Sequence, residues 1–277
     1  MLDPMHDLTD HGLFGPTSVT WRVHLEPVMW IAGMRALLLQ SLQPDVMRAT
    51  WQNSALFDPK KAYPRFQRTV EFVGTRTFGS VAEVEAAASR VRRLHSSLTG
   101  YDPDTGRRFR VDAPAGLLWV HCAEIDSYVD IARRSGMLDA AEVDTYIAES
   151  VRAAEVIGID PDLAPRSRAE LDDYFTSVRP TLRLTEEATR GVANLLAPRG
   201  EAPRWTKAAI STVSTLAVAT LPRWARRLYG LPGLPTTDLA TAAALRTLRT
   251  ATRVLPDIPA PPEIQEARRL VKAAGSA

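Results

Sequence analysis

The sequence predicts an all-α fold, a single globular domain of roughly nine or ten helices spanning residues 1–277. Helix-capping signals recur along the chain, and apolar residues recur at three- and four-residue steps. The alternation typical of strands is nearly absent, and neither a repeat nor a linker of disordered composition divides the chain. We expect the core to cover about residues 12–255, followed by a proline-rich break and a short helix within 256–277.

The first half of the chain contains three helix signals and one interruption. Pro27 and Pro44 fit first-turn positions, because a proline there gives up no hydrogen bond. Ser80-Val81-Ala82-Glu83 is a capping box that predicts a helix to about Leu98. Residues 101–114 are predicted to form a short non-helical insert, a loop or hairpin, since Asp-Thr-Gly lies there among polar and aromatic residues.

The second half continues the helical pattern. A second capping box at Asp139 to Glu142 opens a helix that ends near Gly158, and Ser167 to Glu170 resembles a third. Thr185, followed by two glutamates, opens another helix. Two further helices are predicted at about 204–220 and 238–254.

Composition excludes several classes of protein. Hydrophobic residues make up 45% of the chain and charged residues 24%, as in soluble globular proteins. The net charge of +2 is too weak to indicate a nucleic-acid partner. Cys122 is the only cysteine, which excludes a disulfide and a cysteine-based zinc site. With no secretion signal at the N-terminus and no apolar run long enough for a transmembrane segment, a cytoplasmic protein is predicted.

Basic residues are concentrated at one place, where Arg223, Arg226 and Arg227 surround Trp224. We interpret this patch as a solvated helix face, with contact to an anionic group as the alternative.

His121 lies in the middle of an apolar helical stripe. Leu117, Leu118, Ile125 and Tyr128 are three, four or seven residues away, so they share its face. A histidine in such a position is either a core residue bonded to a neighbour or a ligand that points into an apolar cavity. The segment alone favours the first interpretation, because a helical face does not say what a side chain binds.

Spacing excludes the common metal and nucleophile sites. The chain has no His-Glu-x-x-His motif, no Glu-x-x-His pair, no glycine-rich phosphate loop and no Gly-x-Ser-x-Gly motif. His24-Leu25-Glu26 is the first half of a zinc deaminase signature, but the required cysteines are absent. Isolated histidines on helices remain, and they suit haem iron, which needs a single protein imidazole.

A polar constellation precedes His121 by about 50 residues in a predicted helix. Its members recur at three- and four-residue steps and share one side: Arg65, Arg68, Thr69, Phe72 and Arg76. One interpretation is a solvated, salt-bridged face. The other is the polar wall of a pocket, where a guanidinium holds a propionate or polarises bound oxygen.

These segments, together with several others, resemble the bacterial relatives of the MpaB-type and rubber-oxygenase (latex clearing protein) family. The matching stretches are spread from about residue 12 to residue 238 and follow one another in the family's order. They are Gly12-Leu13-Phe14-Gly15-Pro16, Thr20-Trp21-Arg22-Val23-His24, Arg35-Ala36-Leu37-Leu38-Leu39-Gln40, Phe66-Gln67-Arg68-Thr69, Val91-Arg92-Arg93-Leu94-His95, Leu117-Leu118-Trp119-Val120-His121 and Pro222-Arg223-Trp224-Ala225-Arg226-Arg227-Leu228-Tyr229-Gly230.

The resemblance implies a globin-like helical core around haem b and O₂-dependent oxidation of an apolar, often isoprenoid substrate. His121 would be the proximal iron ligand and the metal-binding residue. Arg65, Arg68 and Thr69 match the polar helix on the distal side and would serve in catalysis, and the two arginines would also contact the cofactor. Rubber-cleaving members carry a lysine that can cap the iron where this chain has Arg68. An arginine has no free lone pair, so water, an open site or another ligand is expected there.

Two further residues are assigned to the cofactor site, each with an alternative. Arg22 is a family-like position whose alternative is helix packing with surface pairing. His95 is the reserve for a second haem contact, although capping of a helix C-terminus by an imidazolium is the favoured interpretation. Asp126 points about 140° away from His121 around the helix and is interpreted as the partner of an arginine.

The chain departs from the family's pattern at Gln43-Pro44, where close relatives carry His-Pro. The base of rubber cleavage cannot be mapped, and Glu71 and Glu124 are its nearby candidates.

The predicted function is a haem b-dependent oxygenase that acts with O₂ on a small apolar, isoprenoid-like substrate. Monooxygenase and dioxygenase chemistry both remain open, with an electron donor and a homodimer partner as further expectations. One alternative is a non-catalytic protein of the same fold that binds haem or an apolar ligand, which Gln43 favours. Another is a helical scaffold that pairs through its C-terminal helices.

Overall fold

The computed structural model describes residues 10–57, 61–196, 204–232, 234–254 and 262–275. Within these ranges the chain forms thirteen α-helices, two 3₁₀ turns (Ala55–Phe57 and Arg179–Thr181) and one β-hairpin, so the predicted all-α fold is confirmed. The helices are α1 (Val19–His24), α2 (Met29–Gln40), α3 (Pro44–Asn53), α4 (Ala62–Phe78), α5 (Val81–Ser97), α6 (Pro114–Arg134), α7 (Ala140–Val156), α8 (Arg168–Val178), α9 (Glu186–Leu196), α10 (Arg204–Thr220), α11 (Arg223–Leu228), α12 (Pro235–Val254) and α13 (Pro262–Ala274).

The core forms around the 21-residue helix α6, which packs most extensively against α2. Both helices are apolar on more than one side, because α10 packs on α2 and α7 packs on α6. Ile31 and Leu39 of α2 and Trp119 and Ile131 of α6 are almost completely buried. Burial of such side chains stabilises the fold by about 1.5–3 kcal/mol each. This contact fixes the helix that carries His121.

The predicted helix starts are largely those observed. Ser80 and Asp139 each form a complete capping box, with Glu83 and Glu142 respectively. Ser167 caps α8 by accepting a hydrogen bond from the backbone N–H of Glu170, and Pro44 occupies the first turn of α3. The prediction for Pro27 was wrong, because α2 begins two residues later at Met29.

The predicted insert is an antiparallel hairpin of β1 (Thr99–Asp102) and β2 (Arg107–Arg110). The turn places Gly106 at a φ of 71°, which favours glycine. Gly100 has no room for a side chain, since a Cβ there would lie 2.3 Å from the ring of Phe109.

The remaining predictions concern the C-terminal region and the membrane. A C-terminal helix is present as α13, whereas the proline-rich break lies outside the described residues. Of the helices that the structure describes, none is long and apolar enough to cross a bilayer.

Candidate functional site

His121 lies inside the protein on α6 and is 2% exposed. Its Nδ1 atom is buried and has no hydrogen-bond partner among the described residues. Burial lowers the pKa of His121 from 6.5 to about 4, because a buried imidazolium would lose its hydration. The side chain is therefore neutral near pH 7 and keeps a nitrogen lone pair.

An ion pair between α4 and α6 lies close to His121. Arg76 of α4 donates two hydrogen bonds to the carboxylate of Glu124 on α6, one of them 3.2 Å long. Burial alone would raise the pKa of Glu124, but the charge and hydrogen bonds of Arg76 outweigh it and lower that pKa. The side chains of Arg76 and Glu124 are only 7% and 14% exposed, so the pair is shielded from water.

His24 of α1 contacts two tyrosines next to this ion pair. Its ring stacks on Tyr128 of α6 with 4.4 Å between centroids, and its Nε2 lies 3.0 Å from the hydroxyl of Tyr146 on α7. Burial lowers the pKa of His24 to about 3, and burial raises the pKa of both tyrosines. Four helices thus assemble a polar cluster of six residues, of which Arg76, His121 and Tyr146 are buried and His24, Glu124 and Tyr128 partly buried; we call it the buried polar cluster.

The space beside this buried polar cluster is small. A pocket of about 10 Å³ is lined by His24, Arg76, Ile125 and Tyr146, together with neighbouring residues of α1, α4 and α7. That volume is enough for about one water molecule. In this arrangement the cluster is a packed interior.

The predicted distal residues lie on the first half of α4, away from His121. Arg65 is half-buried and donates a 2.7 Å hydrogen bond to the hydroxyl of Thr69, whereas Arg68 and Thr69 are exposed. No hydrogen bond or ion pair of the described residues joins these three side chains to His121. Arg76, two helical turns after Arg68, is the residue of α4 that reaches the buried polar cluster.

The structure instead brings Arg65 close to His95, in the last turn of α5. Burial and the nearby charge of Arg65 lower the pKa of His95. This shift favours the neutral imidazole, and capping of the C-terminus of α5 by an imidazolium of His95 stays a prediction. Arg65, Arg68, Thr69 and His95 form a second polar group on the facing helices α4 and α5, which we call the α4–α5 polar group.

Two other predicted positions have structural partners. Arg22 of α1 is partly exposed and pairs with Glu142 of α7, in agreement with surface pairing. Asp126 is buried and accepts hydrogen bonds from Arg35 of α2 at 2.8 Å and from Arg168 of α8 at 2.7 Å. The interpretation of Asp126 as an arginine's partner is confirmed.

The sequence analysis did not identify the residues that join His121 in the buried polar cluster. Arg76 was one member of a helical face, His24 was half of a discarded zinc motif, and Tyr146 carried no signal. These side chains come from three different helices, so no local spacing connects them. Of the two acids named there, Glu71 and Glu124, only Glu124 belongs to this cluster, and it lies three residues after His121 on the same helix.

A group of three or more metal-ligating side chains does not occur in the part of the chain that the structure describes. The candidates for a single nitrogen ligand to a metal are then His121, whose Nδ1 has no hydrogen-bond partner among the described residues, and His95, which is more accessible.

Comparison with known proteins identifies a family for this chain. The family model described as "ER-bound oxygenase mpaB/B'/Rubber oxygenase, catalytic domain" matches residues 21–254, a range that contains both polar groups. No curated protein and no solved structure matches the chain significantly. Since the family model covers most of the sequence, the chain belongs to the MpaB/rubber oxygenase catalytic-domain family.

Proposed function

We propose that this chain is a haem b-dependent oxygenase that acts with O₂ on a small apolar, isoprenoid-like substrate, and that His121 is its proximal iron ligand. The family is an oxygenase catalytic domain, which supports oxygen chemistry in general. The observation that carries the proposal is the buried, neutral imidazole of His121, whose Nδ1 has no hydrogen-bond partner among the described residues. Iron ligation by histidine requires a neutral imidazole with a lone pair.

The donor chemistry of the described residues fits haem, but the small pocket at the buried polar cluster does not hold it. Pockets for cofactors and small ligands enclose roughly 300–1,000 Å³, whereas this pocket, lined by His24, Arg76 and Tyr146, has about 10 Å³. His121 itself is 2% exposed, so a tetrapyrrole reaches it only if the helices around it move apart.

The α4–α5 polar group supplies the second candidate ligand. His95 is partly exposed, and Arg65 and Thr69 provide hydrogen-bond donors nearby. Guanidinium groups hold carboxylates such as haem propionates well. When bound, haem supplies O₂ binding and the oxidising chemistry, and these side chains would hold and orient its anionic groups.

The absorbance spectrum of purified, haem-reconstituted protein tests the proposal. We expect a Soret band that is lost in His121→Ala and retained in His95→Ala, with both variants folded by circular dichroism. A Soret band retained in His121→Ala but lost in His95→Ala would assign the ligand to His95. No Soret band in the reconstituted wild-type protein would exclude haem altogether.

A second candidate function is a non-catalytic protein that binds haem or an apolar ligand. It is favoured by Gln43, which stands where close relatives are expected to carry a histidine and which caps α3. The Gln43 side chain accepts a 2.7 Å hydrogen bond from the backbone N–H of Val46. An oxygen electrode with a chemical reductant and isoprenoid alcohols separates the two functions. Substrate-dependent O₂ uptake supports the oxygenase, and ligand binding without uptake supports the binding protein.

A further inference from the structure

An open surface pocket of about 510 Å³ lies where the end of α8, the short helix α11 and the start of α12 meet. It is separate from both polar groups described above, and its size is that of a small-molecule site. The lining residues that matter for its chemistry are Arg134, Arg179, Arg223, Trp224, Arg227 and Asp238.

The one carboxylate of the lining is already shared. Asp238 accepts hydrogen bonds from Arg223 at 3.0 and 3.1 Å and from the buried Arg226 at 2.7 Å, and Arg134 lies 3.8 Å away. Burial would raise the pKa of Asp238, but these guanidinium groups lower it, so the carboxylate stays ionised. Asp238 therefore serves mainly Arg223 and Arg226, because Arg134 pairs more closely with Asp130, at 2.7 Å.

Two further arginines of the lining have no carboxylate partner among the described residues. Arg179 and Arg227 are both exposed. The guanidinium of Arg179 lies over the ring of Trp224, 5.3 Å from its centroid, which holds this cation at the pocket wall. Four arginines against Asp238 and against Asp130, the partner of Arg134, leave a formal charge of +2 at the lining.

We propose that this pocket binds the phosphate group of a small molecule. A guanidinium matches a phosphate with two parallel hydrogen bonds, and a phosphate monoester carries a charge of about −1.5 to −2 at pH 7. Such a dianion neutralises most of this excess charge, whereas a monocarboxylate leaves about one positive charge unbalanced. The inference goes beyond the proposed oxygenase activity and does not depend on it.

The phosphate could come from a soluble ester or from a phospholipid headgroup. Leu231 and Leu234, on the connection between α11 and α12, are 38% and 55% exposed. Apolar side chains next to a basic pocket also suit the surface of an anionic membrane. The chemistry recognised in the pocket is the same in both cases, so the experiment must separate the sources.

Calorimetric titration with glycerol 3-phosphate and sedimentation with vesicles containing phosphatidic acid measure the two sources separately. Arg179→Gln/Arg227→Gln is the test variant, and Arg190→Gln, an exposed arginine of α9 outside the pocket, is the matched control. Each lost charge-assisted contact should weaken binding about tenfold, so we expect about a hundredfold loss in the double variant. The control should bind like the wild type.

Saturable binding of the soluble ester, weakened by the double substitution, assigns the pocket to a soluble ligand. Binding only to vesicles with phosphatidic acid, and not to phosphatidylcholine vesicles, assigns it to a headgroup. The proposal is overturned if the wild-type protein binds neither probe, or if the double variant binds as tightly as the wild type. The thermal melting temperature shows that the variants fold, since both substituted side chains are exposed.

Discussion

His24 and His121 are neutral in the folded protein, because burial lowers their pKa values to about 3 and about 4 from 6.5. Between pH 6.5 and pH 4 the unfolded chain therefore binds more protons than the folded protein. The free energy of unfolding should fall as the pH is lowered through this window, by up to about 3 kcal/mol for His121 alone. Urea denaturation at pH 7, 5.5 and 4.5 measures this change.

His121→Leu is the matched control for this prediction, because leucine removes the titrating group and keeps an apolar side chain in the core. Its unfolding free energy should depend less steeply on pH than that of the wild type. Equal slopes for the two proteins would mean that His121 is not buried and neutral in solution.

Arg68 gives a second prediction at the level of one residue. The side chain is exposed on α4, and a guanidinium has no lone pair free for iron. The ferric absorbance spectrum of haem-loaded Arg68→Ala should therefore equal that of the wild-type protein. Loss of a strong sixth ligand in this variant would contradict both the exposure and the chemistry of Arg68.

The direction of a single side chain was predictable where it depends only on the geometry of its own helix. The direction of Asp126, away from His121, follows from helical geometry, and its pairing with arginine follows from a buried charge that needs compensation. The partner of Glu124 was not predictable, since Arg76 precedes it by 48 residues on another helix. Tertiary packing decides which of the many arginines pairs with Glu124.

The ion pair of Arg76 and Glu124 joins helix α4 to helix α6 inside the protein. Removing one partner leaves the other charge buried and uncompensated, which costs about 3–5 kcal/mol. We expect Arg76→Met and Glu124→Gln each to lower the free energy of unfolding by that order. The double variant should lose less than the sum of the two, and denaturation of all four proteins measures the coupling.

The exposed pair of Arg190 and Glu186 within α9 is the control for this cycle. Its coupling should be only about 0.3–0.5 kcal/mol, as for other surface pairs at this spacing. A coupling of similar size for Arg76 and Glu124 would mean that water reaches the interface between α4 and α6.

The starts of long helices with capping signals were predicted correctly, because a cap is a local hydrogen-bond pattern that four consecutive residues determine. The six-residue helices α1 and α11 were not predicted as separate elements, and they account for two of the helices by which the observed thirteen exceed the expected nine or ten. Fewer than two turns give too few positions for a helical period to show.

At the scale of the whole molecule, the closed interior makes a prediction about haem uptake. If His121 binds the iron, the helices around it must separate first, since the side chain is only 2% exposed. The rate of haem uptake by the apoprotein should then reach a plateau as the haem concentration rises, because helix opening limits it. Stopped-flow absorbance at the Soret wavelength measures the rate.

A haem uptake rate that rises linearly with concentration, without a plateau, would contradict this order of events. It would indicate a site that is open in the apoprotein, such as the surface of α4 and α5 near His95. The His121→Ala variant should then take up haem at the wild-type rate.

The fold class was predictable from the sequence, whereas the arrangement of the site was not. Periodicity and caps are local, so the all-α fold follows from them. The assignment of Arg65, Arg68 and Thr69 to the distal side, opposite His121, depends on how α4 packs against α6 and stays a prediction. The structure places Arg65 near His95 and Arg76 near His121.

Asp126 is bound from two sides, by Arg35 and Arg168, and so pins α6 against rotation about its own axis. Turning α6 by a single residue would move that carboxylate by about 100° around the helix axis and break its hydrogen bonds with both arginines. The direction in which His121 points thus depends on Asp126, which lies on a different side of the same helix. Substitutions can change the side chains on α6, but they cannot change the directions of these side chains by rotating the helix.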